Sequence, residues 1–205
     1  MSSLTQAPDG NLDIGTSGVQ NVTVSNSLIY DATGEGKNSL VAYGPQCITY
    51  VRNLLRGTQR NPQLRYDDNG GTSPGLTMDL VNNLIAPRGS GTFMRWGIKA
   101  NVDRNYFVAR SADPTNTLTI SGPNAAAYVA GNVSSLPAYD PNAPSNYARQ
   151  GGTVTMAAPF PAPPVSATDA LSAACAILDT AGPQHRDAAD LALIAEVRAL
   201  VPACP

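Results

Sequence analysis

The stretch QRNPQLRY at residues 59–66 sets Arg60 and Arg65 around Pro62, in a 205-residue chain of which only 14% is charged. A guanidinium is a planar fork that binds carboxylates through paired hydrogen bonds, and a proline stiffens the segment presenting it. Two further places put charge where the chain turns. In PDGNLDI, Asp9 and Asp13 straddle a Pro-Asp-Gly-Asn turn that can fold them toward one another, and convergent carboxylates suit a hard cation such as calcium. In GEGKNSLVAYG, Lys37 follows a glycine-rich turn and opens an apolar strand. Taken singly, each also reads as surface: Asp9 as a turn former, and Asp13, Lys37 and the arginines as solvated charges. Taken together, an acidic cation site beside fixed cations is complementary to a polymer of negatively charged sugars, with the metal bridging protein and substrate carboxylates.

The elements that position these residues come from an internal repeat. VTVSNSLI, ITYVRNLL, MDLVNNLI, ANVDRNYF and AAYVAGNV share alternating β-type residues followed by Asn and an apolar pair or its near equivalent. They align Asn26, Asn53, Asn83, Asn105 and Asn132 in one column at spacings of 27, 30, 22 and 27 residues. Fixed strands with variable loops fit the coils of a parallel β-helix, in which equivalent residues stack about 4.8 Å apart. A buried Asn at a fixed corner then bonds its neighbours above and below, and the apolar pair after it supplies the core. A β-sandwich also predicts alternating strands, but not one asparagine recurring in register. In this stack Asp9 and Asp13, then Lys37, then Arg60 and Arg65 open successive coils, a span of two rungs or roughly 10 Å.

The coils are expected over residues 1–148, followed by a tail and helices over 149–205 that pack on them. TVTMAAPFPAPPVSA is Pro- and Ala-rich and cannot continue regular coils. TDALSAACAILDTAG and RDAADLALIAEVRAL carry helical spacing, the first with a capping residue and a closing glycine, the second with acids in its first turn and Arg198 near its end. The sole histidine, His185, falls in the turn between them and reads as structural or solvated, leaving poor material for a Ser-His or Cys-His mechanism. Three cysteines are too few and scattered for a zinc site or a disulfide scaffold, although Cys175 and Cys204 can pair. A net charge of −2 gives no basic field for nucleic acid, and no run of 18 apolar residues spans a bilayer. The start, MSSLTQAPDG, lacks the basic and apolar regions of a signal peptide.

DGNLDI, VTVSNSLI, GKNSLVAYG, ITYVRNLLRGTQRNPQLRY and AGPQHRDAADLALIAEVR together resemble the pectate lyase family in order and spacing. The most specific piece is the Arg-x-Pro-x-x-Arg of Arg60, Pro62 and Arg65. The resemblance implies a right-handed parallel β-helix, lacking the family's N-terminal coils, that cleaves polygalacturonate by calcium-assisted β-elimination. It implies Arg60 as the base that removes the C5 proton, Lys37 and Arg65 as ligands of substrate carboxylates, and Asp9 and Asp13 as calcium ligands. Because a free guanidinium is protonated far above neutral pH, an arginine base implies activity at alkaline pH. The substrate implies a secreted or periplasmic setting. Two alternatives stand beside this reading: a catalytically silent β-helix that binds acidic polysaccharide, and a calcium-independent pectin lyase acting on methyl-esterified polymer.

Overall fold

In runs such as GNLDIG and KANVD alternate residues, Leu12 and Ile14 or Ala100 and Val102, are apolar and face one side, so each run makes a strand with a buried face. The computed structural model describes residues 1–66, 71–149 and 154–204, except the side chains of Pro114 and Arg149. Its strands recur in threes. The first coil holds β1 (Ser3–Thr5), β2 (Gly10–Gly15) and β3 (Thr23–Ser25), and the second β4 (Leu28–Tyr30), β5 (Lys37–Ala42) and β6 (Ile48–Val51). The third holds β7 (Leu54–Arg56), β8 (Gln63–Arg65) and β9 (Met78–Val81), and the fourth β10 (Leu84–Ile85), β11 (Thr92–Arg95) and β12 (Lys99–Asp103). The fifth holds β13 (Tyr106–Phe107), β14 (Leu118–Ser121) and β15 (Ala126–Ala130); β16 (Val133–Ser134), β17 (Ala148–Arg149) and β18 (Val154–Thr155) complete the set.

Among the described residues, first, second and third members each form one six-stranded sheet, called sheets 1, 2 and 3 here, in which every pairing is parallel. The result is the expected parallel β-helix, about five turns long. Its interior is layered: Ile14, Val41, Leu64, Met94 and Ile120 pair in register across sheet 2 and face Leu55, Ile85 and Phe107 of sheet 1 within one core. β18 pairs with β15 beyond residue 148, so the coils lead into the tail rather than stopping at that boundary.

The asparagine ladder forms at the corner between sheets 3 and 1, with one correction. The backbone N–H and Nδ2 of Asn53 both donate to Oδ1 of Asn83 at 3.0 and 3.1 Å, and the same pattern runs from Asn83 to Asn105 and from Asn105 to Asn132. Asn26 is not in this column. Leu28 pairs with Leu54, so Ser27 occupies the first rung and donates its N–H to Oδ1 of Asn53 at 3.0 Å. Asn26 instead shares a left-handed corner with Arg52, Asn82, Arg104 and Gly131, with φ of 49, 56, 52, 51 and 64°. Asparagine tolerates that conformation better than most residues, which is why it can stand in either column. The apolar pair also divides. Its second member enters the interior, whereas Leu28, Leu54, Leu84 and Tyr106 face outward.

That outward stripe is covered by two helices, α2 (Ala170–Thr180) and α3 (Ala188–Leu200), which follow the single-turn α1 (Pro144–Tyr147). Ala174, Ile177 and Leu178 of α2 and Leu193, Ile194 and Val197 of α3 complete a second apolar cluster on the flank of sheet 1. Asp169 and Asp187 cap the two helices by accepting the N–H of Ser172 and Asp190. A Cys175–Cys204 disulfide joins α2 to the segment that follows α3. Sheet 3 is crossed by the proline-rich tail: Asn101 exchanges hydrogen bonds with both backbone groups of Phe160, and Asn82 does the same with Thr168.

Candidate functional site on sheet 2

With helices on sheet 1 and the tail on sheet 3, the outer face of sheet 2 carries the charged residues singled out above, and a second asparagine ladder fixes their spacing. Nδ2 of Asn11 donates to Oδ1 of Asn38 at 2.9 Å, and Nδ2 of Asn38 donates to Oδ1 of Asn61 at 3.0 Å. Asn38 and Asn61 are fully buried. Asn61 also donates to the carbonyls of Gly57 on its own coil and Ser90 on the next, which ties QRNPQLRY to the coil that follows. Each ladder residue directly follows a corner position: Gly10, then Lys37, then Arg60. Lys37 pairs in register with Gly10, and the Arg60 carbonyl accepts the N–H of Ser39 at 2.9 Å. Lys37 itself bridges in register to Gln59, and Arg60 follows one residue on with φ of 58°, so Lys37 and Arg60 leave the backbone at neighbouring, not equivalent, positions of successive coils.

Asp13 lies on β2 of the same face. One oxygen accepts the N–H of Leu40 at 3.2 Å, and a Cβ built on Gly10 would come within 2.7 Å of it, so a side chain at residue 10 would displace this carboxylate. Although the residue as a whole is exposed, burial pushes its carboxyl above the ordinary range; Arg60 and the Leu40 N–H draw it partly back, and Lys37 does so more weakly. Asp13 and Arg60 are thus electrostatically coupled. Asp9 lies at the turn, its Oδ1 3.5 Å from Nζ of Lys37. Glu35 also pairs with Lys37 and, as its closest partner, raises the pKa of the ammonium.

One coil on from Lys37, Arg65 ends β8. Its guanidinium lies 4.8 Å from the ring centroid of Tyr43 and donates to the Tyr43 hydroxyl. Arg95 pairs in register with Arg65 on the next strand and stacks 3.7 Å from the Trp96 ring centroid. The structure thus brings Asp9, Asp13, Lys37 and Arg60 into one cluster and sets Arg65 on the same face. Glu35, Tyr43, Arg95, Trp96 and the Asn11–Asn38–Asn61 ladder escape a reading of the sequence. One signal was present for the ladder, an asparagine recurring 27 and 23 residues apart directly after a corner residue.

For calcium, which takes six to eight oxygens, Asp9 at the turn and Asp13 on β2 offer two carboxylates. Among the described residues no group of three acidic, histidine or cysteine side chains converges on a metal position. Two carboxylates alone do not cage such an ion, and Asp9 already has the Lys37 ammonium 3.5 Å away. Comparison of the chain with protein-family models, curated proteins and solved structures returned no match.

Proposed function

We propose that this β-helix is a lyase for α-1,4-linked polygalacturonate, acting by calcium-assisted β-elimination with Arg60 as the base. The observation that supports it best is the placing of Lys37 and Arg60 on successive coils, each directly before a rung of the Asn11–Asn38–Asn61 ladder and beside Asp13. A calcium ion on Asp9 and Asp13 would neutralise the uronate carboxylate and so favour loss of the C5 proton. Lys37 and Arg65 bind carboxylates of the chain, Arg65 through its fork. Arg60, in its neutral form, takes the C5 proton; the electron pair forms the C4–C5 double bond while the C4–oxygen bond breaks, and the leaving oxygen keeps that bond's electrons and is protonated from water. Partial desolvation of Asp13 favours a cation next to it, which fits the role given to it.

A secreted or periplasmic setting belongs to the same reading, and the Cys175–Cys204 bond supports it, since such bonds persist in oxidising compartments. Among the described residues no helix is long and apolar enough to cross a membrane. A silent acidic-polysaccharide binder is the second reading, favoured by the Asp9–Lys37 ion pair, which can occupy the cation position without metal. The test is ultraviolet absorbance of the unsaturated product from polygalacturonate and calcium at alkaline pH. Turnover that falls by roughly 10²–10⁴-fold in Arg60→Lys, with binding retained, supports the lyase. Binding without any product leaves only the silent binder. Turnover indifferent to chelation removes the calcium role and favours a pectin lyase.

A further inference from the structure

The exposed tyrosine beside Arg65 has no role in the reading above. Tyr43 follows β5 with φ of 67°, a conformation costly for a bulky side chain and one that persists only where surrounding structure enforces it. Half of the residue is open to solvent, at 49% exposure, far from what an aromatic ring seeks for burial alone. On the coil before it lies Gly15, where an added Cβ would sit 3.8 Å from the Tyr43 ring. On the coil after it lies Arg65, whose guanidinium sits over the ring and donates to its hydroxyl. The ring thus spans from the coil of Asp13 to that of Arg65.

We infer that Tyr43 is a positioning residue for Arg65, holding its guanidinium ready for the carboxylate of an unesterified uronate and so setting preference for charged over methyl-esterified polymer. The inference rests on the lyase or binder reading of the same face. An arginine side chain has many rotamers, and a carboxylate that must first order it binds less tightly. Stacking on a tyrosine face and a bond to the phenol remove part of that freedom before the ligand arrives.

Equilibrium binding of an unesterified oligogalacturonate in calcium is compared for the unmodified protein, Tyr43→Phe and Tyr43→Ala, with turnover and Tm followed in parallel. Tyr43→Ala is expected to weaken binding and raise KM about tenfold with kcat unchanged. Tyr43→Phe, which keeps the ring, is expected to recover part of that loss. Binding of the methyl-esterified oligomer is expected to stay the same in all three, a selectivity that general loosening of the fold would not produce. Equal affinity of Tyr43→Ala and the unmodified protein for the unesterified oligomer overturns the inference alone. Failure of the unmodified protein to bind that oligomer overturns the reading it rests on as well.

Discussion

Asp79 is almost out of water, at 5% exposure, and its carboxyl accepts a hydrogen bond from Nδ2 of Asn101 at 3.0 Å. Burial raises its pKa; the Asn101 bond offsets this in part, and the nearby Asp103 charge adds to it. A carboxyl whose pKa is raised by folding holds its proton more tightly in the folded state. Its contribution to stability is therefore complete below the unfolded value and is lost as pH rises through the folded one. At neutral pH the ionised Asp79 is a cost, and Asp79→Asn, which keeps an acceptor for Asn101, is expected to raise Tm by a few degrees. Calorimetry across pH checks this: the gap between variant and parent should close as the solution is acidified, and a gap constant with pH would rule the account out. Asp79 lies on sheet 3, away from the candidate site, so binding of oligogalacturonate should not change.

The two ladders do similar polar work at different corners, and only one of them adjoins the charged face. Asn83 accepts the N–H and Nδ2 of Asn53 and donates to the carbonyl of Tyr50, all buried. Asn38 bonds Asn11, Asn61 and the carbonyl of Ile29. Alanine at either position leaves buried polar groups without partners, a loss of about 2–3 kcal/mol. Chemical denaturation of the two variants should thus look alike, whereas only Asn38→Ala should lose affinity for acidic oligomers beyond what its stability loss explains. Equal affinities would mean that the second ladder does not set the pitch of Lys37 and Arg60. The first ladder was legible because its asparagines share flanks, apart from the first rung, where a serine, Ser27, holds the position and the neighbouring Asn26 draws the alignment one residue off. The second was not, because Gly-Asn-Leu, Lys-Asn-Ser and Arg-Asn-Pro share nothing but the asparagine. Nor does strand spacing reveal which aromatic ring will lie under which guanidinium.

Across the whole molecule the three sheet faces have separate tasks: helices cover sheet 1, the tail crosses sheet 3, and sheet 2 carries the candidate site. The Cys175–Cys204 bond closes a 29-residue separation, and losing such a link destabilises by about 3 kcal/mol in the chain-entropy account. Cys204→Ser is therefore expected to loosen α2 and α3 and uncover Leu28, Leu54 and Leu84, read as dye binding to apolar surface and faster amide exchange in the helices. Polysaccharide binding on sheet 2 should persist under conditions where the coils remain folded; parallel loss of both would show that the helices hold the charged face in shape. The amide ladders carry a last consequence through their direction. In both, nitrogen donates toward the C-terminal end and oxygen receives from the N-terminal end, without reversal. The side chains are thus polarised head to tail along the axis, and exchanging one nitrogen for oxygen would set two acceptors against each other. Deamidation of a single rung, a change of one mass unit, would break the line in the middle. The chain guards against it in its own sequence: each of Asn11, Asn38, Asn53, Asn61, Asn83, Asn105 and Asn132 is followed by a residue with a side chain, and none by glycine.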